Sequence, residues 1–410
     1  MSVSPVAALA GRLAAVDVLH EPSYRRLWLS GLCVNVARWM DLVTVGWLAL
    51  LLTGSPFMVG LAAFARAAPL MFVGPFAGIV ADRVARSRLL LAAQSVGLAT
   101  ALALAAVFGG GLGGYWPLVA LEVVFGAMWA LDFPARRTAL YAVLGAGRVA
   151  QAVSLETVSM QIAKMLGPLV AGVCLARAGP AAAYLVMAGV YACGLLASTG
   201  LGGRLGRPGG ASTTSVGASL RAGLAAAWSS PTVRGVLLVT IAMNTLFFPY
   251  QHMLPVFARD VLAVGPTALG ALVAADGGGA LVGALLIASR RGGFAQPTLF
   301  AAAVLIAPLL LVALSGTRAF VACLVLMGVM GAAESAFAAM QSTLVLLSAP
   351  DRLRGGAMGI LSACIGTQPL GTLAIGMLAA AVGAPLAFAI NALAALLVIV
   401  PLAVPLMRRR

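Results

Sequence analysis

Charge is what this sequence has least of: 9% of its 410 residues are Asp, Glu, Lys or Arg, while 62% are hydrophobic. Soluble domains carry about 25% charged and about 45–50% apolar residues, so water is not the main solvent of this chain. Histidine is nearly absent, with His20 and His252 far apart and neither inside an HExxH pattern. Lysine is rarer still: Lys164 stands alone, so no glycine-rich loop ending in Lys offers a cradle for nucleotide phosphates. The five cysteines (Cys33, Cys174, Cys193, Cys323, Cys364) sit in apolar runs without a CxxC pair and read as small core residues. These absences argue against metal, thiol or ATP chemistry, and the expectation is no catalytic residue, no metal and no cofactor. Arg12 and Asp17 interrupt the first apolar stretch, so it reads as a short amphipathic cytoplasmic helix rather than a signal peptide.

What the chain has is apolar length. A helix crossing the hydrocarbon core needs about 20 apolar residues. Runs broken by Gly, Pro or Arg place twelve such helices at about 27–53, 56–80, 89–108, 116–134, 150–175, 181–201, 234–257, 266–289, 296–315, 318–346, 357–381 and 385–407. The formal charge of +15 sorts onto alternate loops. With the amino terminus inside, the inner segments hold Arg25, Arg26, Arg83, Arg86, Arg88, Arg136, Arg137, Arg148 and the terminal arginines, against Arg177, Arg259 and Arg318 outside. That asymmetry places both termini in the cytoplasm and removes the reason to invoke nucleic acid. The expected fold is therefore an all-α integral membrane protein. Its segments are a cytoplasmic piece at 1–26, a six-helix half at 27–201, a Gly/Ser/Thr-rich cytoplasmic linker at 202–233, a second six-helix half at 234–407 and a basic tail at 408–410. The halves read as repeats, since the run Phe133 to Arg148 is echoed by Phe337 to Arg352.

An ionisable group near the bilayer centre costs at least ~2.5–3.5 kcal/mol on insertion scales, so each is a functional candidate. Counting along the helices at 1.5 Å per residue puts Arg38, Asp41, Arg66 and Asp276 near mid-depth. Arg38 and Asp41 are three apart and can face each other. Glu122 and Lys164 share an outer depth and are expected to pair, while Asp132, Glu156 and Glu334 lie in the inner third. Asp276 and Glu334 have no cation on their own helices, which favours a proton-coupling role over a structural one. Trp39, Trp129, Asn244, Phe248, Gln251 and His252, the last near the outer end of its helix, are further aromatic and polar positions within the spans. The glycines at 277–279, beside Asp276, allow close backbone approach or a bend.

At 78–88 the chain reads GIVADRVARSR. With Gly78, Asp82, Arg83, Arg86 and Arg88 it resembles the loop signature of the major facilitator superfamily, a cytoplasmic gate motif. YRRLWLSG at 24–31, LTGSPFMVG at 52–60, DFPARRTAL at 132–140 and AKMLGPLVAG at 163–172 are similar to the bacterial branch of transmembrane secretion effectors that includes the enterobactin exporter. Gly167, Pro168 and Gly172 also resemble the helix 5 motif of proton antiporters, with Ala163 where that motif usually has Gly. Arg38 departs from these relatives, which more often show a small or acidic residue there.

The resemblance implies that helices 1, 4, 7 and 10 face the pathway, so that Trp39, Trp129, Asn244, Phe248, Gln251 and His252 are expected to border a cavity. It also implies alternating access and proton-coupled efflux of a small amphipathic compound, a drug or siderophore, by a monomer in a bacterial inner membrane. Its partners would be the small-molecule substrate, the lipid bilayer and protons. An importer or facilitator of an organic solute or lysolipid would share the fold. A non-transporting receptor or scaffold would need no buried carboxylates.

Overall fold

Hydrocarbon offers backbone amides no water to bond, so a chain of this composition must satisfy them within helices. The computed structural model describes residues 18–201, 205, 221, 224–225, 227–228, 230–289, 296–350 and 353–408, with the side chains of 71–83, 141, 146–147, 149–150, 288 and 406–408 excepted. The described residues form helices and turns without a strand. The amino-terminal amphipathic helix, most of the 202–233 linker and the last two arginines lie outside them.

After a 3-10 turn at Val18–His20, α1 (Pro22–Thr53) begins with a proline whose missing N–H costs nothing in a first turn, and stops at Gly54, where φ is 65°. There follow α2 (Pro56–Arg83) and α3 (Arg86–Gly109). The run Tyr115–Thr199 is broken where Gly145 (φ 66°) and Gly179 (φ 79°) take conformations that residues with a Cβ avoid. The breaks give α4 (115–144), α5 (146–178) and α6 (180–199). The second part comprises α7 (Pro231–Ala242), α8 (Tyr250–Asp260), α9 (Pro266–Ser289), α10 (Gln296–Gly316), α11 (Phe320–Ser348), α12 (Arg354–Ile365), α13 (Gln368–Val382) and α14 (Ala384–Arg408).

Two helices expected to be continuous are not. A π turn at Met243–Phe247, followed by Pro249, separates α7 from α8, and Gly366 with Pro369 separates α12 from α13. Both breaks fall beside prolines, Pro249 and Pro369, in stretches whose mean hydropathy still reads as one span each. Ten helical segments among the described residues are long and apolar enough to cross a membrane.

Large apolar side chains cover the outside: Leu196, Val321 and Leu397 are 72, 71 and 80% exposed. That is the surface expected of a protein dissolved in lipid. Cys193 is also exposed, so it is not the core residue its setting implied, while Cys323 and Cys364 are buried.

Small residues bring the two parts of the chain together. Within the first part a Cβ on Gly167 of α5 would lie 2.7 Å from the Val36 carbonyl of α1, while across the parts one on Gly172 would collide with Pro266 at the start of α9. A Cβ on Gly60 of α2 would lie 3.0 Å from the Cα of Gly376 on α13, and one on Gly46 of α1 would lie 2.7 Å from the Pro255 ring on α8. These approaches gather toward the end that carries Thr53, Pro56 and Pro266, away from both chain termini. The helix 5 residues Gly167, Pro168 and Gly172 thus let α5 pass closely between α1 and α9. Of the gate motif, the side chains of Gly78, Asp82 and Arg83 lie outside the described residues. Arg86 donates to the Leu205 carbonyl at 3.0 Å, and Arg88 is exposed.

Candidate functional site

A cavity of about 370 Å³ lies between the two parts of the chain. Trp39, Trp129, Asn244, Phe248, Gln251 and His252 all border it, together with Arg38, Arg66, Lys164 and Glu334. His252 lies beyond the π turn at Met243–Phe247 and borders the cavity with the others. Asn244, inside that turn, is tied back to the Thr240 carbonyl at 2.9 Å.

The charges pair differently from their expected partners. Lys164 of α5 does not meet Glu122. Its Nζ lies 2.6 Å from Asp276 Oδ2 on α9 and 3.0 Å from Glu334 Oε2 on α11. Depth counting put Lys164 in the outer third and Glu334 in the inner third, so it missed the relative heights of these groups as well as their directions around the helices. A Cβ on the adjacent Gly277 would lie 2.8 Å from the Lys164 carbonyl carbon, and one on Gly331 of α11 would lie 2.6 Å from Asp276 Oδ1. Absent side chains on both glycines let three helices converge on the ammonium. The glycines at 277–279 therefore serve close approach rather than a bend, and α9 continues through them. Glu334 is further held by Tyr250 Oη at 3.0 Å and Gln251 Nε2 at 3.2 Å. So Asp276 and Glu334, which lack a cation on their own helices, share one from across the cavity.

Arg38 and Asp41 do not pair either. Arg66 of α2 takes the Asp41 carboxylate and donates to the Arg38 carbonyl at 3.2 Å. The Arg38 guanidinium instead lies 4.2 Å from the Trp129 ring centroid and 5.9 Å from that of Trp39. Glu122 is fully buried within electrostatic reach of Asp41 and Arg66. Gly126, one turn further along α4, packs on the Arg66 carbonyl, which turns that face of α4 toward α2 and away from Lys164. Neither Glu122 oxygen accepts a hydrogen bond among the described residues. Each cluster therefore holds two carboxylates against one cation.

Nearer the chain termini, Asp132 is held by Arg136 through bonds of 3.0 and 2.9 Å. Arg136 is 5% exposed and also donates to the Leu27 carbonyl at 3.0 Å and Ser30 Oγ at 3.3 Å. Its sequence reading as a loop charge missed this role; the four-residue spacing from Asp132 was the available signal. Glu156 stays half-buried, within range of Arg136, Arg137 and Asp132.

Aromatic rings and paired charges that border one cavity suit the binding of an organic solute. The comparisons with known proteins agree. The family model described as transmembrane secretion effector matches residues 14–409. A multidrug efflux pump, Tap of Mycolicibacterium fortuitum, is 28% identical over 371 residues, covering 86% of this chain and 88% of that protein. Among solved structures, the nucleoside transporter NupG matches with a TM-score of 0.73 at 15% identity, over 95% of this chain and 100% of that one. A bacterial homologue of the human lysosomal transporter Spinster, inward-facing and unoccupied, matches with a TM-score of 0.70 at 16% identity, over 95% and 97%.

Proposed function

Because the chain belongs to the transmembrane secretion effector family of major facilitator membrane transporters, we propose that it exports a small amphipathic organic compound across the bacterial inner membrane in exchange for protons. Counting α7 with α8 and α12 with α13 as single crossings gives twelve spans in two sets of six; an even number leaves both termini on one side, and the arginine asymmetry of the loops favours the cytoplasmic one. The closely packed end is then the outer one. The efflux pump relative lends weight to export.

The observation that carries this reading is the bond from Lys164 to Asp276 and Glu334 across the cavity. When the outer end opens, the parts separate and the two carboxylates take up a proton from outside. When it closes, the ammonium returns in place of that proton, which leaves through the inner opening. A bound compound that disturbs the triad restarts the cycle. The parts work as a monomer.

The test follows internal pH in proteoliposomes while cationic drugs, siderophores and anionic metabolites are added one at a time. Compound-dependent proton movement that disappears in Glu334→Gln or Asp276→Asn supports the exchange. Compound flux without proton movement makes the protein a facilitator and reduces the triad to a structural tie.

A further inference from the structure

Three cations border the cavity, and two of them are taken: Arg66 by Asp41, and Lys164 by Asp276 and Glu334. Arg38 is different. Among the described residues its guanidinium makes neither an ion pair nor a hydrogen bond, and its contacts are with the faces of the Trp129 and Trp39 rings. Stacking on a ring face leaves the in-plane N–H donors free. An unpaired charge at this depth is costly to retain, and its nearest candidate partner in sequence, Asp41, is committed elsewhere.

Two further observations point the same way. Trp39 Nε1 is buried beside the cavity without an acceptor. Of the carboxylates, Glu334 alone borders the cavity, and its oxygens already accept from Lys164, Tyr250 and Gln251. An entering molecule thus meets a cation without a counter-charge and a carboxylate that is already paired.

We infer that the transported compound carries an acidic group, a carboxylate or sulfonate, beside an aromatic or apolar body, with the acid docked on the Arg38 fork. The planar guanidinium matches two oxygens of such a group in a way an ammonium does not. The indole N–H of Trp39 supplies another donor, and Trp129 and Phe248 cover the body. The cavity volume of about 370 Å³ suits a drug-sized ligand. A compound whose charge is wholly cationic would have to settle beside Arg38 with no uncommitted carboxylate on the cavity wall. The inference rests on the cavity being the transport site, as proposed above, but not on coupling to protons.

A matched pair of fluorophores tests it: dansylglycine, which is anionic, and the dansyl amide of ethylenediamine, which is cationic. Energy transfer from the tryptophans is titrated on purified protein in nanodiscs of zwitterionic lipid. Dansylglycine is expected to bind about tenfold more tightly, as a charge-assisted bond implies. Arg38→Gln should remove the preference and Arg38→Lys should keep part of it. In the unmodified protein, naphthalene-2-sulfonate should displace dansylglycine and naphthylmethylammonium should not, which keeps the inference testable if Arg38→Gln does not fold. Equal or tighter binding of the amine, no binding of either probe, or an unchanged preference in folded Arg38→Gln would overturn it. Binding needs no gradient, so a charge preference without proton movement refutes the exchange alone, and proton movement without the preference refutes this inference alone.

Discussion

Lys164 Nζ lies 3.0 Å from Glu334 Oε2, so an ammonium from α5 is bonded to a carboxylate 170 positions later in the chain. Asp276 completes the group at 2.6 Å. Removing one partner of a buried ion pair leaves charge without compensation and costs about 3–5 kcal/mol. Lys164→Gln is therefore expected to lower the thermal midpoint sharply in detergent, and the triple variant Lys164→Gln, Asp276→Asn, Glu334→Gln to regain most of the loss. A single variant as stable as the unmodified protein would show that the triad holds nothing together.

The Gly60 and Gly376 backbones touch at the closed end. With the five native cysteines replaced, Gly60→Cys and Gly376→Cys should form a disulfide under mild oxidation and stop transport, and reduction should restore it. Continued transport in the crosslinked protein would mean that this end does not open.

Arg136 donates to both Asp132 oxygens and reaches α1 as well. Arg136→Gln alone should destabilise by about 3–5 kcal/mol, and the double variant with Asp132→Asn by clearly less, because no carboxylate is then stranded. Thermal unfolding followed by tryptophan fluorescence measures both.

Gly277→Val places methyl groups against the Lys164 backbone. Overpacking of this kind costs about 1–3 kcal/mol, and here it also pushes α9 from α5 and stretches the triad. Transport should fall further in Gly277→Val than in Gly278→Ala, whose Cβ meets nothing nearer than Met165 Sδ at 3.9 Å.

Much of the fold was legible because lipid leaves the chain few choices: apolar length reads directly as helix. Residues bordering the cavity were legible for a related reason, since Asn244, Gln251 or Arg38 has no cause to lie within a span unless it faces something other than lipid. Pairings were not. Counting residues along a helix gives only an approximate height, too coarse to foresee that Lys164 and Glu334 meet, and rotation about the axis depends on which neighbours pack closely. Gly126 against α2 and Gly277 against α5 decide it. The interruptions after Phe247 and at Gly366 were read through although Pro249 and the Gly366 and Pro369 pair are breaker signals; the π turn itself changes hydrogen bonding and leaves hydropathy as it was.

Lys164 is the chain's sole lysine, and it borders the cavity. An amine-directed reagent confined to one side of the membrane therefore finds its only interior side-chain target where the solute would pass. The rate at which it is tagged from each side becomes a clock for how long each doorway stands open, readable by mass spectrometry without altering a single residue.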